Sequence, residues 1–99
     1  MQNIGLTIQG LRKQKKLSQI DIHKKTGISQ TYISQIESGE RIPTIETLQK
    51  ISVALDIPLP VISFLSLDVN SISEDKRKAY EMIERPIKRM IEEFFLQKV

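Results

Sequence analysis

The side chains able to do chemistry are few in this sequence, and their types favour recognition over catalysis. Gln30, Thr31, Ser34, Gln35 and Ser38 fall on one face of a short periodic segment, while Ile33, Ile36 and Glu37 fall on the other. The first set holds amides and small hydroxyls, with no Lys or Glu. A Gln amide can make paired hydrogen bonds to adenine in the major groove of duplex DNA, and a Thr methyl can pack on a thymine methyl. A face that was merely solvated would carry more charge.

The remaining reactive groups lack partners at a working spacing. His23 is the one histidine, and alone it is expected to be a packing or surface residue rather than a general base. Glu81 with Glu84, or Glu92 with Glu93, resemble carboxylate pairs. On a helix beside Lys88 and Arg89 they are expected to be surface ion pairs. The chain has no cysteine, no phosphate-cradling glycine loop and no His/Cys metal spacing. No enzyme activity, no metal and no cofactor are expected.

The elements that must position the amide face are written in Leu17–Gly39. Ser18 can cap a helix over about Gln19–Lys25, with Asp21 completing a capping box and Leu17 and Ile22 in staple positions. Ser29 can cap a second helix, Gln30–Ser38, with Ile28 and Ile33 as its staple. Gly27 stands where the first of these ends and the backbone turns left-handed, and Gly39 ends the second in the same way. Two capped helices around a glycine turn make a helix-turn-helix, which lays its second helix in the major groove.

Other helices surround this pair. Asn3 can cap a first helix to about Lys16, with Ile4, Ile8 and Leu11 inward and Arg12, Lys13, Lys15 and Lys16 at the end the dipole favours. Gly10 inside it costs about 1 kcal/mol relative to Ala and is read as a site of close packing. Ile22 and the aliphatic part of Thr26 point inward from the second helix. After a loop over Glu40–Thr44, Thr44 can cap a fourth helix to about Leu55, with Leu48, Ile51, Ala54 and Leu55 inward and Asp56 and Pro58 as its stop. Its free N–H groups could hold a phosphate. From Leu59, a short apolar helix is expected to close the core through Val61, Ile62, Phe64 and Leu65.

The 99 residues make one domain with an appended segment, and the net charge of +3 is uneven. Residues 1–50 carry eight Lys/Arg against four Asp/Glu, whereas residues 51–99 carry seven against eight. The basic half is the half with the turn, which suits a polyanion. Apolar runs are too short to span a bilayer and the start lacks a signal-peptide plan. The expected setting is a bacterial-type cytoplasm.

With these residues in view, the chain resembles the lambda-repressor-like, or XRE-type, helix-turn-helix proteins over about Ile4–Ser66. The resemblance rests on Ile4-Gly5, Leu11-Arg12, Leu17-Ser18-Gln19, Gly27-Ile28-Ser29, Ile33-Ser34, Ile36-Glu37, Gly39, Pro43, Leu48 and Ala54-Leu55, in order and at family spacing. It implies an all-α fold with five helices, a two-fold dimer and double-stranded operator DNA with an inverted repeat. By position it implies that Gln30, Thr31 and Gln35 read bases, and Ser34 shares their face. Gln19, Ser38, Arg41 and Thr44 match phosphate contacts, and Arg12 with Glu37 matches an inner ion pair. Two positions depart from the family: His23 stands where a small residue is usual, and Ile20 replaces a residue that is usually polar.

The resemblance stops before the C-terminal third. Residues 1–66 are expected to form the DNA-binding domain, 67–75 a polar linker and 76–99 an amphipathic helical tail capped by Ser73. Tyr80, Ile83, Ile87, Met90, Ile91 and Phe94 recur at helical spacing in that tail, and Pro86 is expected to kink it or break it near Glu84. The stripe suits pairing with a second copy, so a homodimer is expected, with folding back onto the domain as the other way to cover it. The function implied is a sequence-specific regulator of transcription that represses by blocking polymerase. The alternative is an antitoxin or adaptor whose tail captures a protein. No membrane and no small-molecule ligand are implied.

Overall fold

Ile8 and Leu11 are the buried rungs of the first helix, α1 (Ile4–Gln14). The structure, a computed structural model, describes residues 4–96, so the Asn3 cap lies outside the described residues. α1 stops two residues short of Lys16. Lys16 turns left-handed at φ 60°, and the Leu17 N–H donates to the Arg12 carbonyl at 3.0 Å. That fold of the chain brings Leu17 against the core ahead of α2 (Gln19–Thr26) and α3 (Gln30–Glu37).

α4 (Ile45–Leu55) begins at Thr44, whose hydroxyl accepts from the Thr47 N–H, and ends at Asp56 in the left-handed region. α5 (Leu59–Leu65) follows after Pro58. Ile22, Ile33, Ile36, Ile51, Leu55, Ile57 and Ile62 are sealed from solvent, each contributing about 1.5–3 kcal/mol by burial. Ile62 is the only fully buried rung of α5; Val61 and Leu65 pack at the core's margin. Phe64 is half-buried and leans on Tyr80, ring centroids 6.1 Å apart.

The close packing read at Gly10 falls at Gly5 instead. Nothing lies near a Cβ built on Gly10, whereas one built on Gly5 would stand 2.0 Å from the Ile36 carbonyl oxygen. The close crossing is therefore α1 over α3, and Gly5 permits it.

The C-terminal third differs from expectation in three ways. The link holds a 3₁₀ turn, Val69–Ser71, capped by the Asp68 side chain. Ser73 occupies the cap position of α6 (Glu74–Ile91) without a side-chain cap bond. Instead the Arg77 Nε–H donates to the Ile72 carbonyl at 2.9 Å, tying the first turn to the link. Finally, α6 runs through Pro86 with no break near Glu84. Pro86 is exposed, so its ring faces solvent rather than a neighbouring helix. The winding changes later, to a π turn over Glu92–Leu96. Ile91 is buried, and Phe95 and Leu96 pack against the core.

Among the described residues no single helix is long and apolar enough to cross a membrane.

Candidate nucleic-acid interface

Three local devices hold α3 with one face outward. The first is the pair of caps. Ser18 Oγ accepts from the Asp21 N–H at 3.0 Å while Asp21 Oδ2 accepts from the Ser18 N–H at 2.8 Å. Ser29 Oγ accepts from the Tyr32 N–H at 3.1 Å. The second is the turn. Gly27 sits at φ 79° and its N–H reaches the His23 carbonyl. Thr26 Oγ1 donates to the Ile22 carbonyl at 2.7 Å and accepts from the Ile28 N–H at 3.1 Å. His23 is exposed and spans the turn, its Nδ1 against the Ile28 carbonyl at 2.7 Å. A side chain larger than the family's usual small residue thus fits by lying over the turn. Ile20, the other departure, is half in solvent at 48% exposed.

The third device is an ion pair beneath α3. Arg12 Nε donates to Glu37 Oε2 at 2.7 Å and Arg12 Nη2 to Glu37 Oε1 at 2.9 Å. Arg12 Nη1 donates to the Leu17 carbonyl at 2.9 Å. Both residues are buried. The hydrogen bond it donates to Glu37 holds the Arg12 guanidinium above its ordinary pKa, although burial works against it. The two-pronged geometry adds direction as well as charge, and it locks α3 to α1.

Asp21 is a carboxylate whose cap bonds tie it to pH. Its pKa lies below the ordinary carboxylate value, first because the Ser18 N–H donates to it, then through the Ser18 side chain and nearby Lys24 and Lys25. A depressed folded value means that its stabilisation is present above the unfolded pKa. It is lost as pH falls through the folded one. Asp21→Asn keeps an acceptor without the charge. Thermal midpoints measured from about pH 5 down to about pH 2 are expected to fall less steeply for the variant. Equal slopes would leave the cap without this role.

The face so held contains the residues named from the sequence, with differences among them. Gln30, Thr31, Ser34 and Ser38 are exposed and Gln35 is half-buried. The Gln35 carbonyl also organises the exit from α3, accepting from the Ser38 hydroxyl at 3.1 Å and from the N–H groups of Glu40 and Arg41 at 2.9 and 3.1 Å. The four residues named for phosphate stand differently. Ser38 spends its hydroxyl proton on that carbonyl, and Thr44 spends its own on Thr47 Oγ1 at 3.0 Å. Gln19 donates one amide proton to Glu37 Oε1 at 3.1 Å and keeps a second. Arg41 is exposed and lies over the Tyr32 ring, 5.3 Å from its centre.

Of the tail residues, Tyr80 and Ile91 face the chain's own domain through Phe64 and the core margin. Ile83, Met90 and Phe94 are 53–70% exposed, and Ile87 is half-buried. The tail runs beside α1, where Glu84 lines a cleft with Thr7 and Leu96 lines another with Gln14. It leaves the outer face of α3 open. Glu84 pairs with Lys88 at 3.1 Å.

Sequence reasoning missed Gly5 and Tyr32 as structural partners of this face. Gly5 was discoverable, since it shares a helical line with Ile8 and Arg12. Tyr32 meets Arg41 across a loop, and no periodicity links them.

A protein-family profile described as helix-turn-helix matches residues 8–62. The chain is 35% identical over 66 residues to an ImmF control region 10 kDa protein of Bacillus phage phi105, covering 67% of this chain and 73% of that one. It is 28% identical over 90 residues to the immunity repressor protein of the same phage, 91% of this chain and 60% of the repressor. It is 36% identical over 55 residues to the regulator SinR of Bacillus subtilis, 54% of this chain and half of SinR.

Proposed function

This chain belongs to the helix-turn-helix family, and from that premise we propose that it is a sequence-specific repressor of transcription that binds an inverted-repeat operator as a dimer. The carrying observation is the outer face of α3. It is uncharged, rich in amide and hydroxyl groups, open to solvent, and held by two caps, a glycine turn and a buried ion pair. In this reading Gln30, Thr31, Ser34 and Gln35 meet base edges. Arg41, the remaining proton of Gln19, and the first turn of α4 meet the phosphates. Two copies of α3 enter successive major grooves about 34 Å apart and exclude polymerase. Such a role places the protein in the cytoplasm, with DNA as its ligand and no catalytic step.

Pairing is assigned to the exposed stripe of the tail. Ile83, Ile87, Met90 and Phe94 recur at intervals of four, three and four residues, the spacing of a helix–helix seam. Met90→Glu and Phe94→Glu lie on exposed positions, so the fold is expected to survive them. Light scattering should show the dimer reduced to monomer, with affinity for a two-fold site falling at least tenfold. Dimers that persist in both variants would move the interface elsewhere.

Selection of bound duplexes from random DNA tests the reading directly. A two-fold consensus is expected. On that consensus, Gln30→Ala or Gln35→Ala should each relax one base position and cost about 1–3 kcal/mol at the preferred base. Arg41→Ala should weaken all sequences alike and reduce the slope of log affinity against log salt by about 1. Recovery of no preferred sequence would end the proposal.

A further inference from the structure

Arg41 is anchored twice. Its N–H donates to the Gln35 carbonyl at 3.1 Å, which closes the loop back onto the last turn of α3. Its guanidinium carbon lies 5.3 Å from the centre of the Tyr32 ring. Tyr32 packs half-buried against the core, and its backbone N–H is bonded by the Ser29 cap. The contact with the ring uses none of the guanidinium N–H groups in a hydrogen bond, and those N–H edges are the groups that match a phosphate. Arg41 forms no ion pair among the described residues, so no carboxylate competes for those edges.

From this we propose that Tyr32 is a positioning residue for DNA binding. Its ring holds the Arg41 guanidinium beside the reading face before DNA arrives, so that the arginine reaches a backbone phosphate with less ordering to lose. Tyr32 touches no base in this role. The inference rests on the DNA-binding reading above, and assigns to α3 a second duty: its outer side reads, while Tyr32 aims the cation that fixes the register.

The test is a double-mutant cycle on the full chain, using the duplex that the unaltered protein selects. Tyr32→Leu keeps an apolar side chain and removes the ring; Tyr32→Phe keeps the ring. Each is combined with Arg41→Ala, and affinity is measured across a salt series. Tyr32→Leu is expected to weaken binding about two- to five-fold, the range for an exposed cation–ring contact, and to flatten the salt dependence. In the Arg41→Ala background the same change should have little effect, and Tyr32→Phe should bind within about twofold of the parent. Equal losses from Tyr32→Leu in both backgrounds would overturn the inference, since a disturbed α3 would weaken base contacts whether or not Arg41 is present. So would a Phe variant as weak as the Leu variant. Either result leaves the DNA reading intact if the parent still selects a sequence. A parent that selects none fells the reading itself.

Discussion

Glu37→Ala is expected to destabilise the fold by about 3–5 kcal/mol, the usual cost of removing one partner of a buried ion pair. The substitution strands Arg12, which is 8% exposed, with a charge and two former bonds to Glu37 left unmet. It also releases the Gln19 amide. Chemical denaturation at neutral pH measures the loss, and Arg12→Ala should give a similar value while leaving the Leu17 carbonyl without its donor. The double replacement Arg12→Met with Glu37→Met separates two causes. It removes both charges and fills the space with apolar atoms, so most of the stability should return. A double variant as unstable as either single one would show that direction of bonding, rather than stranded charge, holds α1 to α3. In the same experiment the recovered double variant is expected to bind DNA less well than its stability suggests. An apolar contact does not fix the angle of α3 as two parallel hydrogen bonds do.

Gly5→Ala is the second large effect. A methyl group there would stand 2.0 Å from the Ile36 carbonyl oxygen and 3.2 Å from the Glu37 Cα. Both are backbone atoms, which cannot swing aside as a side chain can, so α1 must move off α3. The cost should reach at least the upper end for overpacked sites, about 3 kcal/mol. For a chain of this size that lowers the thermal midpoint on the order of 10–20 °C. Gly10→Ala is the control within the same helix. It has open space, so it should gain up to about 1 kcal/mol from helix propensity. Matching losses at the two glycines would refute the close crossing. Gly5 and the Arg12–Glu37 pair stabilise one crossing from two sides, so their losses should not add.

Both effects act on the function through geometry. In the proposed reading the outer face of α3 discriminates sequences only while α3 is held at one angle, and its crossing with α1 is part of that hold. A variant that keeps helix content but loses this crossing should keep its salt-dependent affinity for DNA in general, because Arg41 remains, and lose discrimination between sequences.

Much of this was legible in the residue order because the determining interactions are local. Ser18 with Asp21, Ser29 with Tyr32, and Thr44 with Thr47 satisfy the backbone within one turn, and Gly27 and Gly39 take the left-handed backbone that glycine allows. Periodicity of Ile, Leu and Glu37 assigned the buried sides, and what was left over defined the amide and hydroxyl face. The chain's own pattern therefore determined α2, α3 and α4, their caps and the side each one buries.

Contacts between residues far apart in sequence were decided by tertiary packing alone. Gly5 and Gly10 are the same residue in the same helix; the line of Ile8 and Arg12 puts Gly5 on the inward side, but the approach of Ile36 is what makes it the close crossing. Pro86 reads as a kink or a break, and α6 passes through it unbroken with its ring in solvent. The apolar tail stripe was divided by the fold: Ile91, Phe95 and Leu96 turn onto the domain, while Ile83, Met90 and Phe94 stay exposed. Arg41 met Tyr32 because a loop folded back onto the Gln35 carbonyl. Periodicity records which side of a helix is apolar; which neighbour covers that side depends on how the helices cross, and that is set by the packing of the whole domain.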